Sequence, residues 1–334
     1  MDIKIQYYIS IICFILLYSC AMKVNSVDMK NNKNPLFCDS DTGICELPSS
    51  NENILKVETI PANVKRIKII YFTDPICSSC WGVEPQLRKL KLEYGNNIEI
   101  EYHMGGLLAD WSYNSGGISS PTDVATHWDE ASTHYDMPIV GDVWLEDPLH
   151  SSYPPSIAFK AAQLQDEQKA IQFLRKIREY VFLEKKNITK WKHIKTAAKL
   201  VGLDVTLLET DYKGKAIDLF NEDLMLAKRM RVRGFPSFFF SNSLNQQEFI
   251  YGSRPYSEFE NKLLKLQPEA KKVKYDKSST FLFDTFSTLT AREFSDLSEK
   301  ERENTEKYLE TLCDNKILKK LTTKNGNLYF KNRR

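Results

Sequence analysis

Hydrophobic and polar positions near residue 75 predict a buried strand that runs directly into a helix. Residues 64–72 (VKRIKIIYF) are dominated by β-branched and aromatic side chains, which favours a strand. Asp74 and Pro75 then interrupt the run. Apolar residues follow at spacings of three and four, which is one face of a helix: Val83, Leu87, Leu90 and Tyr94. Residues 77–80 therefore lie where a strand passes into the N-terminus of a helix.

The pattern further along the chain predicts an α/β fold with a helical insertion. It indicates a strand at 98–108 and two long helices at 156–183 and 191–201. Two strands around a polar turn follow at 234–240 and 249–255, and a helix at 256–266 closes the domain. We expect one domain over 64–267, with the inserted helices at about 119–215.

The C-terminal stretch, 268–334, predicts a linker and a small winged-helix-like extension. A lysine-rich linker precedes a short helix after Thr290, a second helix capped by Ser298, and a hairpin at Asn325-Gly326. A winged helix suggests DNA, but five glutamates crowd the second helix and its approach, where phosphates would be repelled: Glu299, Glu301, Glu303, Glu306 and Glu310. We expect no nucleic-acid partner, and interpret the extension as a docking module or a unit packed on the core.

The N-terminal segment, 1–20, resembles a targeting signal. The apolar run 9–18 is shorter than the roughly 20 residues of a membrane span. Because the small residue Ser19 precedes Cys20, the segment is similar to a bacterial lipoprotein signal, in which Cys20 would carry a lipid that anchors the protein to a membrane. An ordinary secretory signal, in which Cys20 has no role, and a buried strand are the alternatives. Residues 21–63 then form a polar tether, and we expect an exported protein, with a cytoplasmic location as the alternative.

Composition and charge narrow the class of protein. The 334 residues carry a net charge of +2, so no global basic excess points to nucleic acid. The seven cysteines are too few for a disulfide scaffold, but six fall in groups. Cys38 and Cys45 form one pair in the tether, and could form a structural disulfide or exchange electrons with the second pair, Cys77 and Cys80.

The second pair, in TDPICSSCW, carries the candidate chemistry. Cys77 at a helix N-terminus is placed where unpaired N–H groups stabilise a thiolate, and Cys80 lies one turn further on, where it can attack a mixed disulfide. A zinc site is the alternative, but it would need another close pair of ligands at suitable spacing, which the sequence lacks. We therefore expect redox chemistry with no metal and no cofactor.

Together these features resemble the DsbA-like branch of the thioredoxin superfamily, and within it the FrnE-like and ClpXP-adaptor (SpxH-like) group. The resemblance covers 64–267 and rests on the strand–CxxC–helix order, the helical stretch and the Gly-Phe-Pro at 234–236. It implies a cis-proline at Pro236 facing the cysteines, with Phe235 presenting its backbone to a substrate strand. It also implies an aromatic neighbour, Trp81, at the substrate site. Ser78-Ser79 replaces the Pro-His of strongly oxidising members, so a milder redox potential is expected.

Two functions follow from the resemblance. The first is a thiol–disulfide oxidoreductase that acts on protein thiols and disulfides, with Cys77 as nucleophile and Cys80 as resolving cysteine. Its direction and its redox partner are open. The alternative is a non-enzymatic adaptor that presents a client to the ClpXP protease, a role that requires the cytosol.

Overall fold

The computed structural model describes residues 66–112 and 120–332, and the backbone of two short strands at 38–39 and 44–46. The predicted signal, the lipidation site Cys20 and most of the tether lie outside the described residues, as do the side chains of Cys38 and Cys45.

A four-stranded mixed sheet forms the centre of the fold. Its order is β4-β3-β6-β7, with β3 and β4 parallel and the other neighbours antiparallel. These strands are β3 (Ile67–Thr73), β4 (Ile98–Met104), β6 (Ser237–Ser241) and β7 (Gln247–Tyr251). β3 lies between β4 and β6, which explains why its sequence is nearly continuous in hydrophobic residues.

Helices cover this sheet and fill the interval between β4 and the Gly-Phe-Pro. The two that follow β3 are α1 (Ser78–Gly82) and α2 (Glu84–Tyr94). The inserted helices are α3 (Pro121–Tyr135), α4 (Val143–Glu146), α5 (Tyr153–Gln163), α6 (Glu167–Leu183), α7 (Trp191–Leu200) and α8 (Val205–Tyr212). Two more flank the later strands, namely α9 (Lys215–Arg229) and α10 (Tyr256–Leu266). The fold is thioredoxin-like, with a helical stretch between its halves.

The C-terminal extension has the element order of a winged helix. It comprises α11 (Ser279–Thr285), β8 (Thr288–Thr290), α12 (Ala291–Ser298), α13 (Arg302–Asp314), β9 (Leu318–Thr323) and β10 (Gly326–Lys331). Its sheet has the order β8-β10-β9, and it buries a core of its own that includes Leu289, Phe294 and Tyr329.

One local prediction in the extension is wrong. Ser298 was expected to cap the second helix, but it is the last residue of α12, which ends at Glu299 in the left-handed conformation. α13 begins only at Arg302. The cap that does form lies earlier, where Thr290 and Glu293 make a capping box at the start of α12.

A third, small sheet joins the N-terminal strands to the chain around the Gly-Phe-Pro. β1 (Cys38–Asp39) pairs with β2 (Ile44–Glu46), and β2 pairs antiparallel with β5 (Gly234–Phe235). In that register Cys38 lies opposite Cys45, and Cys45 lies opposite Phe235. Across the described part of the chain, no helix is both long and apolar enough to cross a membrane.

Candidate active site

The CxxC pair lies at the start of α1, as the strand–helix pattern predicts. Cys77 is the N-cap, and its Sγ accepts the backbone N–H of Cys80 at 3.2 Å. α1 is only five residues long, and α2 restarts at Glu84 with Pro85 in its first turn. Since proline has no N–H to donate to the preceding turn, it separates the two helices.

Both thiols are completely buried, with 0% of either residue exposed. Burial raises the pKa of Cys77 well above its usual value, and a hydrogen bond with Cys80 adds to this effect. For Cys80, burial is outweighed by that same hydrogen bond and by the positive charge of Arg178, so its pKa is lowered. Cys80 is therefore the more acidic of the two thiols in this covered state, the reverse of what the helix N-terminus alone predicts.

Arg178, from α6, brings a buried positive charge beneath the pair. Its guanidinium donates to Glu84 Oε1 at 2.7 Å, to Thr73 Oγ1 at 2.6 Å and to the carbonyl of Asp74 at 3.3 Å. Against the cost of burial, the charges of Arg178 and Arg88 hold the pKa of Glu84 below its usual value. The guanidinium thus places a positive charge where it favours the thiolate form of Cys80.

Asp74 is a buried carboxyl group beside the cysteines. It accepts the backbone N–H groups of Ile76 at 3.0 Å and Leu107 at 2.8 Å, and the hydroxyl of Ser152 at 2.8 Å. Burial raises its pKa to about 6, although these three donors oppose the shift. Asp74 therefore forms the turn expected of Asp-Pro, and it also titrates in a range useful for proton transfer.

The residues predicted to bind a substrate strand, Phe235 and Pro236, are both buried. The Phe235–Pro236 peptide bond is cis. The Phe235 ring is fully buried against Gly105, where an added Cβ would lie 1.7 Å from the ring. The backbone of Phe235 pairs with Cys45 of β2, so this position already holds a strand.

Trp81 faces the protein interior rather than a groove. Its indole is completely buried and donates to the carbonyl of Pro138 at 3.1 Å. The Arg175 guanidinium lies over the ring, 4.1 Å from its centroid. The substrate-contact role predicted for Trp81 has no exposed surface to support it here, and the indole instead supports the helix that carries Cys80.

The same arginine ties the site to the C-terminal extension. Arg175 makes a two-point contact with Glu293 of α12, at 2.8 and 3.0 Å, and Glu293 has no exposed surface. Arg88 of α2 donates to the carbonyl of Thr288 at 2.8 Å. A chain of direct contacts therefore runs from the extension through Arg175 to the residue next to Cys80.

Sequence reasoning missed the two arginines and Ser152. They lie 75 or more residues after Cys77, on helices whose packing the sequence does not state. No local signal marked the arginines, because the same helix also carries charged residues that stay partly exposed, such as Lys169 and Lys176. Among the described residues, no group of three or more His, Cys, Asp and Glu is arranged to hold a metal ion.

Comparison with known proteins places this geometry in a family. A family model described as Thioredoxin matches residues 71–261. The chain belongs to the thioredoxin superfamily. Within it, a curated relative 38% identical to the chain places it in the SpxH-like branch.

Two curated relatives carry the same name, ClpXP adapter protein SpxH. The protein from Halalkalibacterium halodurans is 38% identical over 234 residues, which cover 68% of this chain and 75% of that protein. The one from Bacillus subtilis is 28% identical, over 78% of this chain and 88% of its own length. Among solved structures, a proposed protein disulfide isomerase from Nitrosomonas europaea has a TM-score of 0.51 and 17% identity, and covers 61% of this chain and 96% of its own. That likeness shows the fold alone.

Proposed function

We propose that the protein is a thiol–disulfide oxidoreductase that acts on protein disulfides, with Cys77 as the nucleophile and Cys80 as the resolving cysteine. One observation carries the proposal: the CxxC pair follows β3 at a strand–helix junction, the cis Phe235–Pro236 bond directly precedes β6, which pairs with β3, and the buried Arg178 contacts the carbonyl of Asp74. This arrangement combines a buried cation that favours a thiolate with a backbone edge of the kind that pairs with an extended strand.

The chemistry follows from the two pKa directions. Cys80, the more acidic thiol, loses its proton first, and its thiolate then accepts the proton of Cys77, which becomes the attacking thiolate. That thiolate forms a bond to one sulfur of a substrate disulfide, and the other substrate sulfur leaves and takes up the proton held by Cys80, which is a thiolate again. Cys80 then attacks Cys77 Sγ, which closes the Cys77–Cys80 disulfide and releases the reduced substrate. The reverse sequence oxidises a substrate, and the reduction potential sets the direction.

The test is a pair of single substitutions in the full chain. Cys77→Ser is expected to abolish insulin reduction and the refolding of a reduced substrate, whereas Cys80→Ser is expected to accumulate mixed disulfides. Cys313→Ser, in the extension, is the matched control and should leave turnover unchanged. Full activity in purified Cys77→Ser would exclude Cys77 as the nucleophile.

A second candidate function is supported by the names of the curated relatives, which describe ClpXP adapters. In that role the protein would bind a client and the protease without redox turnover. The double variant Cys77→Ser, Cys80→Ser separates the two. If it still accelerates degradation of a bound client by purified ClpXP, the adaptor role holds. Loss of both disulfide exchange and degradation on this substitution would tie any adaptor function to the redox pair.

We also propose that the protein is exported and that Cys20 is lipidated, on the strength of the N-terminal sequence alone. The adaptor role requires the cytosol, so location discriminates between the two functions. Mass spectrometry of the N-terminus of the protein purified from membranes tests this directly. A lipid-modified Cys20, absent in Cys20→Ser, is expected, and a chain that retains residues 1–19 unmodified in the soluble fraction would favour the adaptor.

A further inference from the structure

The place where a substrate strand would pair beside Pro236 is occupied by the chain itself. β2 runs antiparallel to β5, with Cys45 opposite Phe235 and Glu46 opposite Gly234. In a thiol–disulfide exchange site, an extended substrate is expected to add here as a strand through its backbone. The N-terminal segment therefore makes the contact that the proposed function assigns to a substrate.

The same strand also reaches the helix that carries the redox pair. Cα atoms of β2 lie within 8 Å of Cα atoms of α1, the helix that Cys77 caps. β2 thus contacts both halves of the site, the cis-proline strand and the CxxC helix. Cys77 itself is completely buried, although a cysteine that exchanges disulfides with other proteins needs access.

The residue at the centre of this strand is a cysteine with a second cysteine opposite it. Cys38 of β1 is the register partner of Cys45. Directly opposed residues of an antiparallel pair have Cα atoms about 4.5–5.5 Å apart, within the range of about 4.4–6.8 Å that a disulfide spans. The two strands therefore present a cysteine pair, in a register that permits a disulfide, at the substrate position.

We propose that the β1–β2 hairpin is a built-in substrate, in which Cys45 exchanges disulfides with Cys77 and Cys38 is the partner of Cys45. This inference rests on the proposed function, because it uses the same nucleophile. It makes Cys38 and Cys45 a second redox pair. The hairpin then competes with external substrates for Cys77.

The exchange balances in atoms and electrons. When Cys38 and Cys45 are oxidised, the Cys77 thiolate attacks Cys45 Sγ, the Cys38–Cys45 bond breaks, and Cys38 leaves as a thiolate that takes up a proton. Cys80 then attacks Cys77 Sγ, which forms the Cys77–Cys80 disulfide and releases Cys45 as a thiol. Two electrons and two protons pass from the CxxC pair to the hairpin pair, and the reverse sequence returns them.

The electrostatics of the site agree with a covered resting state. Burial raises the pKa of Cys77 in this structure, in which β2 is paired with β5. Departure of the hairpin would admit water to the thiol and remove part of that effect. External substrates would then compete with β2 for one backbone edge.

The test traps the internal exchange in the full-length chain. Cys80→Ser removes the resolving thiol, so a Cys77–Cys45 disulfide should accumulate after mild oxidation and appear as a linked peptide by mass spectrometry. Cys313→Ser in the same background is the control and should leave the linked peptide unchanged, whereas Cys45→Ser should remove it.

The outcomes separate the two proposals. If Cys80→Ser forms mixed disulfides with oxidised glutathione or a disulfide-bonded client, but no Cys77–Cys45 peptide, the internal-substrate inference is overturned and the oxidoreductase proposal stands. If Cys80→Ser forms no mixed disulfide of any kind, the oxidoreductase proposal itself fails.

A second measurement tests the pairing of the strand without relying on Cys45 chemistry. Glu46→Pro removes an N–H from β2, and Glu52→Pro, six residues further along the chain, is its control. We expect iodoacetamide to modify Cys77 about five- to tenfold faster in Glu46→Pro, the effect of losing roughly one ladder hydrogen bond. Equal rates in Glu46→Pro, Glu52→Pro and the unchanged chain would show that β2 does not cover the thiol, and would overturn the inference.

Discussion

Replacing Arg178 with methionine is the sharpest perturbation of the redox site. Methionine fills a similar volume but removes a guanidinium that contacts Glu84, Thr73 and the carbonyl of Asp74. Two effects follow, one on folding stability and one on the thiol. They have different causes and are measured separately.

The stability effect comes from the carboxylate left behind. Removing one partner of a buried ion pair typically costs about 3–5 kcal/mol. Glu84 keeps a second cation, Arg88, whose Nε lies 3.8 Å from its Oε2. We therefore expect the free energy of unfolding to fall by about 3 kcal/mol, the lower end of that range.

The effect on the thiol comes from the lost charge. At an effective dielectric constant of about 20, a unit charge roughly 5–8 Å away contributes about 2–3 kcal/mol. We expect the pKa of Cys80 to rise by about one to two units, where one unit is about 1.4 kcal/mol. A less stable thiolate makes the reduced form less favourable, so the reduction potential should become about 30–60 mV more negative.

Thiolate absorbance at 240 nm, titrated in a chain whose other cysteines are serine, reports the pKa of Cys80. Equilibration of Cys77 and Cys80 with glutathione reports the potential. Arg178→Lys keeps the charge and should move both quantities less. The double variant Arg178→Met, Glu84→Met removes both charges and isolates the thiol effect from the stranded carboxylate. An unchanged pKa and potential in that double variant would refute the role assigned to Arg178.

Three further predictions concern the surroundings of the pair. Because Asp74 titrates at about 6 in the folded chain and at 3.8 when exposed, the folded state binds more protons between these values, so its contribution to stability falls by about 3 kcal/mol as pH rises through them. Urea unfolding at pH 4 and 7 should show this loss relative to Asp74→Asn, and parallel profiles would contradict it. Gly105→Ala should lower the free energy of unfolding by about 1–3 kcal/mol in the same assay, because the added Cβ would overlap the Phe235 ring. An unchanged free energy would mean that the ring moves freely. Glu293→Gln should lower the free energy of unfolding by about 1.5–3 kcal/mol, and should change the fluorescence of Trp81 because Arg175 contacts both residues. An unaltered emission spectrum would contradict coupling between Glu293 and Trp81.

The order of strands and helices was predictable because it depends on local periodicity. β3 and β6 were recognisable from their hydrophobic runs, and the hairpin between β9 and β10 from Asn325-Gly326. The start of α13 was not predictable, because a serine such as Ser298 can end one helix or begin the next. Only the packing of the extension decides between these two uses.

The sequence by itself predicted the candidate chemistry of the pair, through two cysteines at the spacing of one helical turn and a Gly-Phe-Pro far downstream. Tertiary structure alone decided their electrical surroundings. Arg178 is 101 residues from Cys77, and no local pattern states that α6 packs beneath the pair. The pairing of β2 with Phe235 is equally non-local, since a strand edge accepts any extended backbone and the register becomes visible only in the folded chain. Residue types set which reactions are available, and long-range packing sets which thiol holds the proton and which strand lies against it.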